Sequence, residues 1–216
     1  MTNHSFETQL DFASNKTLQS LNTPWKIQQY LDSLPYIGED LNRTPLRVMQ
    51  DRQCHCLDGG LLATLALNRL GYTPLIIDLV PEPNTDDDHV LAIFKNGNKF
   101  GAVAKSNYAG LRFREPVYRN LRELVMSYFE VFFNVKGQKT LRGYTRPLNL
   151  HIYDKYDWKT RPSGVERVVE RLYSMHTIPI LSATEIAALN PVDDRSYQSG
   201  MLGTNPEGLY KYSDSQ

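Results

Sequence analysis

Arg52-Gln53-Cys54-His55-Cys56-Leu57-Asp58-Gly59-Gly60, continuing through an apolar run to Leu70 and Gly71, is the stretch that decides the fold. It reads as an irregular turn passing into a helix. Leu57, Leu61, Leu62, Ala63, Leu65, Ala66 and Leu67 make that helix apolar nearly all round, so it belongs in the interior. Gly71 follows as its C-terminal stop. Cys56 falls in the first turn, near unpaired N–H groups and the positive end of the helix dipole. Both favour the thiolate, the nucleophilic form of cysteine. Further along, His89 opens a strand-like apolar run. A thiol at a helix start with a histidine on a neighbouring strand is the arrangement used for cysteine-dependent acyl transfer.

The flanks extend this pattern. Thr23-Pro24 and Thr44-Pro45 are cap-and-proline signals for helices. The first carries the apolar stripe Trp25, Ile27, Tyr30, Leu31 and Leu34. After Gly71 the sequence predicts a strand from Leu75 to Val80, an acidic loop through Asp86, Asp87 and Asp88, and strands His89 to Phe94 and Phe100 to Ala104. Asn96-Gly97 marks the hairpin turn between the last two. Lys105 to Gly110 reads as a loop, Tyr118 to Phe133 as a helix, and Leu148 to Tyr153 as a strand. Ser163 caps a helix to about Tyr173, Ser182 a short one to Leu189, and the Gly-, Pro- and Ser-rich stretch from Asn190 reads as irregular. The expected organisation is a polar arm over 1–23, a core over 24–134 and a helical and irregular extension over 135–216 packed on that core. A buried helix followed by antiparallel strands makes the fold class α+β.

The 216 residues suffice for one large domain. Twenty-four basic and 24 acidic residues cancel, so no global basic field calls for nucleic acid or an anionic membrane. The start Met1-Thr2-Asn3-His4-Ser5 has no basic stretch leading into an apolar one. No run approaches the roughly 20 apolar residues of a membrane span. The two cysteines lie in one tripeptide and cannot staple distant segments. The expectation is a reduced, cytoplasmic chain.

The order of cysteine-headed helix, strand, acidic turn, histidine-headed strand and hairpin resembles the transglutaminase-like superfamily within the papain-like cysteine fold. The resemblance rests on Cys56 and Asp58, on the helix end Leu70-Gly71-Tyr72-Thr73-Pro74, on the strand His89-Val90-Leu91-Ala92-Ile93-Phe94, and on Phe100 opening the next strand. It spans roughly residues 25–107, and the stretch from Phe100 to Leu124 is similar to bacterial members of that superfamily. The resemblance implies a nucleophile at Cys56 and its histidine at His89. Two positions depart from the family pattern. Cys54 stands where a glycine is usual, and Ala104, Lys105, Ser106 and Asn107 occupy the region of the usual histidine-orienting aspartate. Asn107 is the candidate orienter and Ser106 the alternative, because a side-chain carbonyl or hydroxyl can hold an imidazole.

The implied reaction is acyl transfer or amide hydrolysis through a thioester, by a peptidase, amidase or transglutaminase-like enzyme. The alternative is a catalytically silent binding module or partner scaffold of the same fold. Gln53 is a candidate oxyanion donor beside the Cys56 N–H. Asp88, with Asp86 and Asp87, is a candidate for raising the His89 pKa or selecting a cationic substrate. Arg112 and Arg114 are candidates for a substrate carboxylate, against the plainer reading as a charged surface. The substrate class is a peptide, amide or acyl compound. No cofactor is expected. No metal is expected either, since one residue between Cys54 and Cys56 is poor spacing for zinc.

Overall fold

A computed structural model describes residues 4–212. Nine helices and seven strands are present among them. In chain order they are α1 His4–Glu7, α2 Phe12–Ser20, α3 Pro24–Ser33, α4 Pro45–Asp51, α5 Cys56–Arg69, β1 Leu75–Pro81, β2 His89–Asn96, β3 Lys99–Val103, β4 Arg114–Tyr118, α6 Leu121–Met126, β5 Leu141–Thr145, β6 Leu148–Asn149, α7 Pro162–Tyr173, β7 Thr177–Pro179, α8 Ala183–Ala187 and α9 Asp194–Met201. The strands form one antiparallel sheet in the order β4-β3-β2-β1-β5-β7, with β6 also paired to β1. The chain is therefore α+β, with the cysteine-headed helix buried against an antiparallel sheet.

Strand alternation divides the core into two layers. Ile76, Val90, Ala92, Phe94 and Val103 face α5 and the helices around it. Ile77, Leu79, Leu91, Ile93 and Ala102 face the opposite layer, built from α6 and the 3-10 turn at Phe129–Val131. Gly60 lets α5 sit close on β2, since a Cβ there would lie 2.8 Å from Val90 Cγ1. Beyond the end of β3 the ladder is continued by a side chain. The Gln28 amide on α3 donates to the Ala104 carbonyl at 2.9 Å and accepts from the Ala104 N–H at 3.0 Å. The buried Lys105 ammonium then donates to the Leu31 and Leu34 carbonyls at the C-terminal end of α3, where a cation suits the helix dipole. These bonds fix the loop that carries Ser106 and Asn107.

Several boundaries differ from the sequence reading. The expected polar arm contributes α1 and α2 and buries Phe6, Leu18 and Leu21. The expected long helix over 118–133 is only α6. Tyr118 ends β4, and Arg114 closes the helix by bonding the Ser127 hydroxyl and carbonyl, each at 3.0 Å. β4 escapes a hydrophobicity reading because it is an edge strand with charge and Pro116. The expected strand over 148–153 keeps only two residues as β6 before a 3-10 helix, Leu150–Tyr156. β5 and β7 of the extension enter the central sheet rather than only packing on the core. α9 lies in the stretch read as irregular. It is polar, capped by Asp193, and packs Gly200 on the Phe133 ring.

Candidate active site

Cys56 opens α5, and its thiol lies 3.8 Å from the Asp88 carbonyl, at the N-terminal end of β2. The Val90 N–H is its other backbone neighbour. His89 leaves β2 with Leu91 and Ile93, on the side away from α5. Both residues line one small cavity at the strand end, about 30 Å³ in volume, walled also by Tyr36, Asn107, Leu111 and Gly208. A wider acidic cleft of about 610 Å³ also reaches Cys56, between Gly38, Asp87, Tyr173 and Leu209.

His89 is buried, and its Nε2 lies 2.7 Å from the Leu111 carbonyl. A carbonyl only accepts, so Nε2 carries the proton and Nδ1 keeps its lone pair. Burial, the Leu111 contact notwithstanding, pulls the His89 pKa down to about 4. The three-aspartate loop, one candidate for raising it, does not offset the desolvation of the ring.

Cys56 behaves in the same sense. Burial first, then the Asp88 charge, push its thiol well above the ordinary value, while the Val90 N–H pulls the other way. Against the helix start, which favours the thiolate, burial and the acidic neighbours favour the neutral thiol, and burial favours the neutral imidazole. Asp88 is half-buried beside the site and bonded to the buried Asp78, and two adjacent carboxylates resist joint ionisation. Burial and the Asp88 charge raise Asp78, and Tyr173 bonds Asp88 from α7.

The other candidates have defined partners. Asn107 donates to the Asn205 and Gly208 carbonyls at 2.9 and 3.0 Å and accepts from the Asn205 N–H at 2.8 Å. The Ser106 hydroxyl accepts from the Tyr108 N–H at 3.0 Å. The ring contact of His89 is instead with the Leu111 backbone, for which a side-chain motif leaves no signal. Gln53 stands outside the walls of the cavity and the cleft. Arg112 pairs with Asp32 at 3.2 Å and donates to the Ala109 carbonyl. Arg114 spends its guanidinium on Phe113, Gly110 and Ser127 and stacks 3.9 Å over the Tyr128 ring. Its bonds are those of a structural clamp. Two tyrosines missed in the sequence border Cys56: Tyr36 and Tyr173, both raised by burial and by the neighbouring acidic groups.

Cys54 is fully buried and raised to about 12 by desolvation, with Lys105 pulling the other way. His55 reaches the Leu41 carbonyl at 3.2 Å and Asp58 at 3.3 Å. Asp58 also accepts from the Arg43 N–H at 2.6 Å, tying the 39–43 loop to α5. Among the described residues, no group of three or more His, Cys, Asp or Glu is placed to hold a metal, and no helix is long and apolar enough to cross a membrane.

Helix, sheet and cavity define an α+β protein with a cysteine and a histidine at one strand end. No protein-family model matches the chain, and no curated protein does. Among solved structures it is similar to Legionella pneumophila LapG in two forms, one EGTA-treated. Each is 12% identical with a TM-score of 0.37, over 49% of this chain and 70% or 71% of the other. Likeness at that level assigns neither activity nor substrate.

Proposed function

We propose that this chain is a transglutaminase-like cysteine enzyme that hydrolyses an amide or transfers its acyl group. The observation that carries the reading is the shared cavity: the Cys56 thiol at the start of α5 and the His89 ring, anchored by the Leu111 carbonyl, open onto the same space. Both groups start neutral, so His89 acts as a general base during attack rather than as half of an ion pair. The Cys56 sulfur bonds to the substrate carbonyl carbon as its proton passes to His89 Nδ1. Collapse breaks the C–N bond, and the same proton leaves with the amine. Water or an amine then attacks the thioester, and the thiol regains its proton. The Cys56 N–H at the helix start and the Tyr36 hydroxyl are the donors proposed for the oxyanion.

Acyl probes that form a thioester, followed by peptide mapping, test this. The expected result is modification at Cys56 and not at Cys54, with a loss of 10²–10⁴-fold in His89→Ala, the usual span for a general base. Equal labelling of Cys56 with and without His89 would overturn it. The silent binding module is the second reading, favoured by the raised thiol and the small cavity. Probe-free Cys56 in an otherwise folded protein would select it.

A further inference from the structure

The segment from Thr204 to Tyr212 contributes Gly208 to the wall of the Cys56–His89 cavity and Glu207 to Lys211 to the adjoining cleft, and it is held by side-chain-to-backbone hydrogen bonds. Asn107, itself largely buried, spans the Asn205 N–H, the Asn205 carbonyl and the Gly208 carbonyl with one side chain. That is the way a primary amide reads a peptide backbone, independent of side chains. From the facing wall, the Tyr36 carbonyl accepts from the Asn205 side-chain amide at 2.8 Å. Pro206–Gly208 then makes one 3-10 turn that presses Gly208 into the cavity wall. A Cβ on Gly208 would lie 2.7 Å from the Tyr36 ring, so the site accepts glycine there and little else. On the opposite wall a Cβ on Gly38 would overlap the Glu207 carbonyl, so both sides of the contact are trimmed to backbone. Leu209 and Tyr210 continue along the acidic cleft, and the Tyr212 hydroxyl donates to the Thr85 carbonyl at 3.0 Å.

We propose that the groove between Tyr36–Gly38 and Asn107 is the peptide-binding site of the Cys56 centre, and that Thr204–Tyr212 occupies it as an intramolecular plug. A substrate peptide, presenting a glycine against Tyr36 and its backbone to Asn107, enters by displacing that segment. The inference deepens the proposed function and rests on it for what happens after binding. The plug itself needs no chemistry at Cys56.

Thiol labelling of the full chain tests it, with iodoacetamide as the probe and the two cysteines quantified separately by mass spectrometry. Gly208→Leu wedges the plug off Tyr36, Asn205→Ala removes the bond to Tyr36, and Tyr212→Phe removes the bond to Thr85. The expected acceleration of Cys56 is about tenfold or more for Gly208→Leu, from the loss of two or more hydrogen bonds, and falls in that order. Cys54 labelling stays at the wild-type rate. A synthetic peptide of residues 203–212 added to Gly208→Leu restores slow labelling, and the same peptide with its own Gly208→Leu change does not. The plug is overturned if all three variants leave Cys56 unchanged, or if Cys54 and Cys56 accelerate together, which reports general loosening. Variants that expose Cys56 yet remain inert to acyl probes would refute the cysteine chemistry and leave the plug standing. Probe capture that is indifferent to all three substitutions would do the reverse.

Discussion

Cys54 and Cys56 are two residues apart, and the charges around them are opposite in kind. Near Cys54 stand Lys105, Asp58 and Arg43, cations and a carboxylate that compensate one another. Near Cys56 stand Asp88, Asp78 and Asp87, all acidic. The first environment is that of a packed scaffold, where each buried charge has a counter-charge or a carbonyl. The second is uncompensated, and proteins keep local conflict of that sort mainly where a site needs it. The difference also shows that helix position alone does not set a thiol: Cys56 has the helix start, yet burial first and the acidic neighbours after it favour its protonated form.

The largest expected effect lies on the scaffold side. Lys105→Met removes the cation that satisfies the Leu31 and Leu34 carbonyls behind Cys54. It leaves those buried acceptors short of a donor, at a cost of about 2–4 kcal/mol. Urea unfolding checks this, and a loss under about 0.5 kcal/mol, within the usual surface range, would remove Lys105 from the scaffold.

The next concerns Asp58, buried beneath Cys54 and raised by desolvation to about 7 against an ordinary 3.8. The folded state therefore holds a proton that the unfolded state has released between those values. Stability from this group is full below about pH 4 and is lost as pH rises towards 7. His89 works the other way. Its pKa of about 4 lies below the ordinary 6.5, so its contribution is full above 6.5 and is lost as pH falls towards 4. Subtracting wild type from Asp58→Asn isolates the first. The variant's stability should gain up to about 1.4 kcal/mol per pH unit relative to wild type across that window. Parallel curves would mean Asp58 is already ionised by its bonds to Arg43 and His55.

The smallest of the three is on the Cys56 side. Asp88→Asn removes the nearest negative charge while keeping the backbone carbonyl. Cys56 should then lose its proton more readily and alkylate about tenfold faster near neutral pH, one pKa unit's worth, while Cys54 does not change. An equal response at both cysteines would erase the contrast between them.

How much of this was legible in the sequence follows the same division. α5 could be read because apolar residues crowd it from Leu57 to Leu67, and β1 to β3 because their short apolar runs and the hairpin turn are local signals. β4 and β5 were hidden. One is a charged edge strand, and the other contains Gly143, needed because β7 passes too close for a Cβ. Cys56 and His89 stood out as residue types at a spacing. The Leu111 carbonyl, the Tyr36 and Tyr173 rims and the grip of Asn107 on residues 205–208 did not, since they arise from chain segments up to 169 positions apart that only folding brings together. The pKa directions were hidden for the same reason: burial is a property of the packed layers and not of the Cys56 turn.

The central claim is that Cys56 and His89 rest as a neutral thiol and a neutral imidazole. Thiolate absorbs in the ultraviolet where the thiol does not, so the absorbance difference between wild type and Cys56→Ala, followed across pH, reads the state directly. No thiolate signal from Cys56 is expected near neutral pH, with the signal rising only above the ordinary thiol pKa of about 8.5. A full thiolate signal already present near pH 6, and abolished in His89→Ala, would show an ion pair and contradict it.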